Sequence, residues 1–212
     1  MIGAHYDTRW QTPGADDNAS GIACLLEIAR SLKDQRFSRT IRFISFANEE
    51  VPSYQRADMG SMYSAKRSFS RSELIVGMIS LEMIGYYSDK PGSQQYPSLQ
   101  QQFYPDKGNF IAFISNLVSR DFQLNAISNF REQALIPSEG LIAPEWVERS
   151  IRWSDHASYW YYDYPAIMVT DTANFWNPNY HRISDSPETL DYDRMARVVT
   201  GLTVVLERLA QE

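Results

Sequence analysis

"MIGAHYDTRWQTPGADDNASGIACLLEIARSLK" (Met1–Lys33) sets the architecture of the chain. A short apolar strand leads to His5 and Asp7, and a Pro13-Gly14 turn follows. From Asp17 to Lys33 the pattern is helical. Ile22, Leu25, Leu26, Ala29 and Leu32 recur at three-and-four spacing and form one apolar stripe. The turn between strand and helix holds a histidine and three aspartates, Asp7, Asp16 and Asp17. Acids this close repel one another, so a helix cap, a salt bridge or a cation must hold them.

The same alternation continues outward. Thr40–Ala47 and Leu74–Ile84 read as buried strands, with a helix over Ala57–Phe69 between them. Gly85 to Gly108 has no clear period and reads as a long loop, of the kind that often covers a functional site. Asn109–Ser115 reads as a strand, followed by a helix to about Gln133. Pro165–Asp171 reads as a strand. From Tyr192 to Leu209, Met195, Val198, Val199, Leu202, Val205, Leu206 and Leu209 keep one helical face apolar. Continuous apolar strands alternating with helices imply a mainly parallel mixed sheet covered by helices on both faces, a three-layer α/β sandwich. Ligands of such sheets bind beyond the carboxyl ends of the strands.

The chain has 212 residues, enough for one domain with a full core. Its net charge of −6 argues against a nucleic-acid partner. No apolar run is long enough to span a bilayer. Cys24 is the single cysteine, so no internal disulfide forms, and its mid-helix place suits a small buried residue. No signal-peptide pattern is read. A functional motif starting at residue 5 leads us to expect that strands preceding it are missing.

Polar residues collect where the strands end. His5 and Asp7 follow the first strand, and Glu49-Glu50 follow the second. Glu82 closes the third. A loop with Tyr180, His181 and Asp185 follows Pro165–Asp171. Carboxylates gathered without basic partners are costly unless protonated or bound to cations. Imidazoles among them favour a transition metal over calcium or magnesium. Two Zn²⁺, or another divalent transition metal, balance Asp17, Glu50 and Glu82 with one bridging hydroxide, His5 and His181 being neutral. Each ion then receives one histidine, one carboxylate of its own, the shared Asp17 and the bridging oxygen, in the four-coordinate geometry zinc prefers. Glu49 is adjacent to Glu50 and points elsewhere along extended chain; reaching the bridging water, it is a general base. Asp7 would orient His5, and Asp185 would do similar work near His181.

"GAHYDT", "PGADDNASG", "FANEE", "SLEMIG", "SDHASYW" and "NYHRISDSPETLDY" resemble, in order, the motifs of the zinc exopeptidases typified by secreted bacterial leucyl aminopeptidases. Their superfamily includes glutamate carboxypeptidases and glutaminyl cyclases. The resemblance covers nearly the whole chain. It implies a phosphorylase/hydrolase-like fold, a single catalytic domain over residues 1–212 that lacks the family's N-terminal strands, and a secreted or periplasmic setting. It implies His5 and Glu82 at one metal, Glu50 and His181 at the other, Asp17 as the bridge, and Asp16 as structural. Glu49 matches the catalytic base, and Tyr180 matches a tyrosine that stabilises the oxyanion in some members. Asp155 and His156 lie in a motif but receive no direct role. The position of Glu82 is often aspartate in the family. The substrate implied is a peptide or small amide cleaved at its N-terminal bond.

Plainer readings exist for each residue. Asp16-Asp17 would cap the following helix. Glu49-Glu50 would be a solvated acidic pair. His181 would be a surface histidine, and Tyr180 would pack with Phe175 and Trp176. Met83 would be core or pocket wall. Rival functions are glutaminyl-peptide cyclotransferase, a glutamate-type carboxypeptidase using Arg131, Arg149 or Arg152, and a non-catalytic binding domain.

Overall fold

Six strands make one sheet, β1 (Ile2–His5), β2 (Phe43–Phe46), β3 (Met78–Glu82), β4 (Ile111–Ser115), β5 (Ser138–Ile142) and β6 (Ala166–Thr170), in the order β2-β1-β3-β6-β4-β5. The computed structural model describes residues 1–96, 101–132, 135–172, 175 and 177–211. All neighbouring pairs run parallel except β4 with β6, so β4 and β5 point opposite to the other four strands. The expected mainly parallel sheet is present, with one reversal beside its middle. β1 packs so tightly that a Cβ on Gly3 would lie 2.4 Å from the Phe46 ring.

Helices α1 (Gly21–Leu32), α3 (Arg120–Arg131) and α5 (Tyr192–Gln211) cover one face. Their buried residues recur at helical spacing: Cys24, Leu25, Ile28 and Leu32 on α1, and Met195, Val198, Val199, Leu202, Val205 and Leu206 on α5. They meet Ile79, Leu81, Phe113, Ile167 and Val169, the strand residues of that face. Each large aliphatic side chain so buried stabilises the fold by roughly 1.5–3 kcal/mol. The other face carries a smaller core, in which α2 (Gly60–Ser70) and α4 (His156–Trp160) supply Ala65, Tyr159 and Trp160 against Phe46, Met78 and Ala166.

Several elements are shorter than the patterns that announced them, although α5 runs two residues past the expected Leu209. The strand expected over Leu74–Ile84 pairs only over Met78–Glu82, and the helix expected from Asp17 begins regularly at Gly21. Asp17 and Asn18 have non-helical backbone angles. The turn Ala15–Ser20 instead extends the sheet with side chains. Asn18 donates to Leu81 O (2.8 Å) and accepts from Met83 N–H (3.0 Å); Ser20 Oγ accepts from Ile84 N–H (2.9 Å), and Asp16 Oδ1 from Gly85 N–H (2.9 Å). These polar residues satisfy the backbone beyond the end of β3, which is why they are buried. The helix expected to reach Gln133 ends at Arg131, and Gln133 itself lies outside the described residues. Among the described residues no helix is long and apolar enough to cross a membrane.

Candidate metal centre

β1, β2 and β3 end side by side, and their ends carry the chemistry. His5 is the last residue of β1 and is fully buried. Its Nδ1 lies 3.0 Å from the Asp7 carbonyl oxygen, which fixes the ring and leaves Nε2 facing a group of acids. Nε2 stands 3.5 Å from Asp17 Oδ1, 3.4 Å from Glu82 Oε2 and 4.0 Å from Glu49 Oε2. Across Asp17 lies a second group. His181 Nε2 is 3.1 Å from Asp17 Oδ2 and 3.2 Å from Glu50 Oε1. The two sets, His5–Asp17–Glu82 and Asp17–Glu50–His181, each have ligand atoms close enough to share one cation.

The donor set fits divalent transition metals. Each group pairs one imidazole with two carboxylates, and the two groups divide the oxygens of Asp17 between them. Glu50 Oε1 is buried and makes no hydrogen bond, although His181 Nε2 is near. A buried carboxylate oxygen without a hydrogen bond, 3.2 Å from an imidazole nitrogen, suits a place beside a cation. Burial opposes charging of both imidazoles, but Glu82 and Asp7 hold His5 well above its usual range, and Asp17 and Glu50 raise His181 to about 9. Burial lifts Asp17 to about 6, against the pull of His181, and pushes Glu49 well above the carboxylate range.

The surroundings hold these residues in place. The Asp7 carboxylate accepts the N–H of Glu49 (3.1 Å) and of Glu50 (3.0 Å), fixing the turn that separates the two acids. Burial would raise Asp7, but His5 and these two N–H groups outweigh it and hold the carboxyl at about 2. The Asp7 main chain, not its side chain, makes the short contact to the imidazole. Asp185 was expected near His181; its carboxylate instead accepts the N–H of Asp16 (2.8 Å) and of Asp17 (3.2 Å). Glu82 Oε2 accepts from Ser154 Oγ at 2.7 Å. Asn48, Met83 and His181 take positive φ (60°, 50° and 56°), so the backbone is strained where the chain leaves β2 and β3 and at a ligand candidate itself.

Glu49 belongs to neither metal group and lines the cleft with Glu50, Tyr54, Tyr180, His181 and Arg9. Tyr180 stacks on His181 with ring centroids 3.8 Å apart, and burial raises its hydroxyl above the usual tyrosine range, so it keeps its proton. Trp176, expected beside it, lies outside the described residues. Asp16 is buried and accepts from Gly85 N–H and Asn177 Nδ2. Met83 is fully buried in packing and forms no wall of the recesses beside the metal groups. Cys24 is buried, its thiol pushed up to about 12 by burial. His156 is buried with Nε2 2.6 Å from Ile151 O. Asp155, given no role by its motif, is fully buried and interacts electrostatically with His5 and Glu82. Arg131, Arg149 and Arg152 are not among the residues lining the cleft: Arg131 binds Ser138, Arg152 pairs with Glu145, and Arg149 is exposed. Arg9, in a turn with no motif signal, lines the cleft instead.

These features agree with comparisons to known proteins. The model of peptidase family M28 matches residues 1–205. The Escherichia coli (strain K12) protein YfbL is 41% identical over 220 residues, which cover 97% of this chain and 65% of that protein. The probable leucine aminopeptidase 1 of Trichophyton verrucosum is 27% identical over 226 residues, covering 98% of this chain and 54% of that protein. The chain therefore spans between about half and two thirds of the length of these relatives. The crystal structure of the Legionella pneumophila LapA aminopeptidase shares the fold at a TM-score of 0.76 and 24% identity, covering 100% of this chain and 51% of that one. With the family model spanning nearly its full length, this chain belongs to peptidase family M28.

Proposed function

We propose that the chain forms the catalytic domain of a two-zinc aminopeptidase that hydrolyses N-terminal peptide bonds. The supporting observation is the division of Asp17: one oxygen faces His5 and Glu82, the other faces His181 and Glu50. His5, Asp17 and Glu82 would hold one ion, and Asp17, Glu50 and His181 the other. Two such ions, when bound, supply Lewis-acid polarisation of a carbonyl and a lower pKa for water.

The chain's own residues do the rest. Glu49 is buried at the cleft wall and sits outside both ligand groups, so it is free to take a proton from the attacking water. It then delivers that proton to the departing amine. Tyr180 keeps its O–H and donates it to the oxyanion as the carbonyl becomes tetrahedral. Asp7 keeps Glu49 and Glu50 in fixed relation through their N–H groups. The buried ligand carboxylates favour a free α-ammonium on the substrate. Arg9 in the cleft supports a narrower second reading, in which the leaving residue carries a free carboxylate, as in a dipeptide.

Elemental analysis together with leucyl-anilide hydrolysis tests this reading. About two zinc ions per chain are expected, with turnover lost on chelation and recovered on zinc addition. One ion per chain with cyclisation of N-terminal glutamine would favour the cyclotransferase. Zinc-independent hydrolysis would refute both.

A further inference from the structure

The sheet reverses direction beside the metal groups. β3 and β6 end at Glu82 and Thr170, whereas β4 and β5 present their amino ends at the same edge. In register, Glu82 pairs with Thr170, Thr170 with Ala112, and Ala112 with Glu139. Paired residues point to the same face, so these four side chains form one row across the sheet. Three strand spacings separate the Cα atoms of Glu82 and Glu139 by about 14 Å. Only a threonine and an alanine stand between, so the row is a trough with a carboxylate at each end. One step along the strands, Ile114, Met168 and Leu141 form an apolar wall.

The Glu82 end belongs to the metal groups, and the Glu139 end does not. Among the described lining residues, Glu82 and Glu139 are the only charged groups, and no lysine or arginine is present. Tyr96 and Tyr104 also line the recess, but each hydroxyl proton is already committed, to Pro105 O (2.7 Å) and Gly140 O (3.0 Å). The half-buried Glu139 carboxylate makes no hydrogen bond or ion pair among the described residues, so it is open to an incoming cation.

The geometry points to Glu139 as a specificity-determining residue that selects substrates whose N-terminal side chain is basic, lysine or arginine. The methylene stem lies along the trough and the charged head meets Glu139. An extended arginine spans about 6 Å from Cα to its guanidinium carbon, enough to cross the low middle of the row; leucine reaches roughly half as far. This inference takes the position of the scissile bond from the aminopeptidase reading above.

Kinetics of the zinc-loaded chain on arginyl-, lysyl-, citrullinyl- and leucyl-anilides test it, because citrulline matches arginine in shape without the charge. We expect kcat/KM for the arginyl substrate to exceed the citrullinyl value by roughly 10- to 100-fold, and Glu139→Gln to collapse that ratio toward one. Independently of turnover, L-arginine should raise the melting temperature more than L-citrulline does, and Glu139→Gln should abolish the difference. Leucyl hydrolysis with an arginyl-to-citrullinyl ratio near one in the wild type overturns the inference, leaves the aminopeptidase reading standing, and needs no variant. An arginine-specific, Glu139-dependent melting shift without cleavage of any anilide would sink the peptidase reading and keep the pocket. Equal shifts without cleavage would sink both.

Discussion

Replacing Asp185 by asparagine tests whether a distant loop sets the geometry of the shared ligand. Asp185 is buried, and its two oxygens accept the N–H groups of Asp16 at 2.8 Å and Asp17 at 3.2 Å. Asparagine keeps one acceptor and turns the other into a donor. It will retain the shorter bond to Asp16, so the Asp17 N–H is left facing an NH₂ group. The lost bond to a charged acceptor is worth roughly 1.5–3 kcal/mol, and the retained one weakens as its charge disappears. Relief of repulsion with Asp16 offsets part of this. We expect a net loss of about 2 kcal/mol of stability without metal, read from urea unfolding in chelator. Asp17 then loses its backbone anchor, and zinc affinity should fall by roughly 10- to 100-fold in competition with a chromogenic chelator. An unchanged unfolding midpoint with unchanged zinc affinity would refute the reasoning.

Glu49→Gln should keep about two zinc ions while turnover falls by two orders of magnitude or more, since Glu49 lies outside both ligand groups; full activity with full metal removes Glu49 from the mechanism. Asp17→Ala should lose both ions together, because each group depends on one of its oxygens; elemental analysis finding a complete pair would identify another bridge. His156, whose ring burial holds at about 4, predicts a pH effect on stability. Above pH 6.5 the ring is neutral in both states and its contribution is whole. As pH falls from 6.5 toward 4, the unfolded ring takes up a proton that the buried ring refuses, and ~3 kcal/mol is lost. The stability difference between wild type and His156→Gln should shrink across that window; a constant difference would place the native ring in solvent.

The element pattern was open to reading because apolar periodicity is local. The stripes of α1 and α5 and the buried runs of β3 and β6 each identify their own face. β5 was missed for the opposite reason. Its sequence, Ser138-Glu-Gly-Leu-Ile142, has a central glycine and little β-branching, and it is held at the sheet edge by one partner. Short α4 escaped notice because five residues give no stripe. The strand-end rule gathered His5, Glu49, Glu50 and Glu82 correctly at one edge. It could not find Glu139, which reaches that edge at the start of a strand running the other way.

By itself the sequence determined which residues could bear the chemistry: spacing and residue type depend on the chain alone, and so did the alternation that made the fold α/β. Tertiary structure decided how those residues divide the work. Only the turn at Ala15–Ser20 splits the oxygens of Asp17 between two histidines, and only the fold brings Asp185 against the backbone of Asp16 and Asp17, 169 and 168 positions away in the chain. Hydrogen-bond partners far apart in sequence have no periodic signature. They exist only after the sheet has closed and burial has made an unpaired polar group too costly to leave alone.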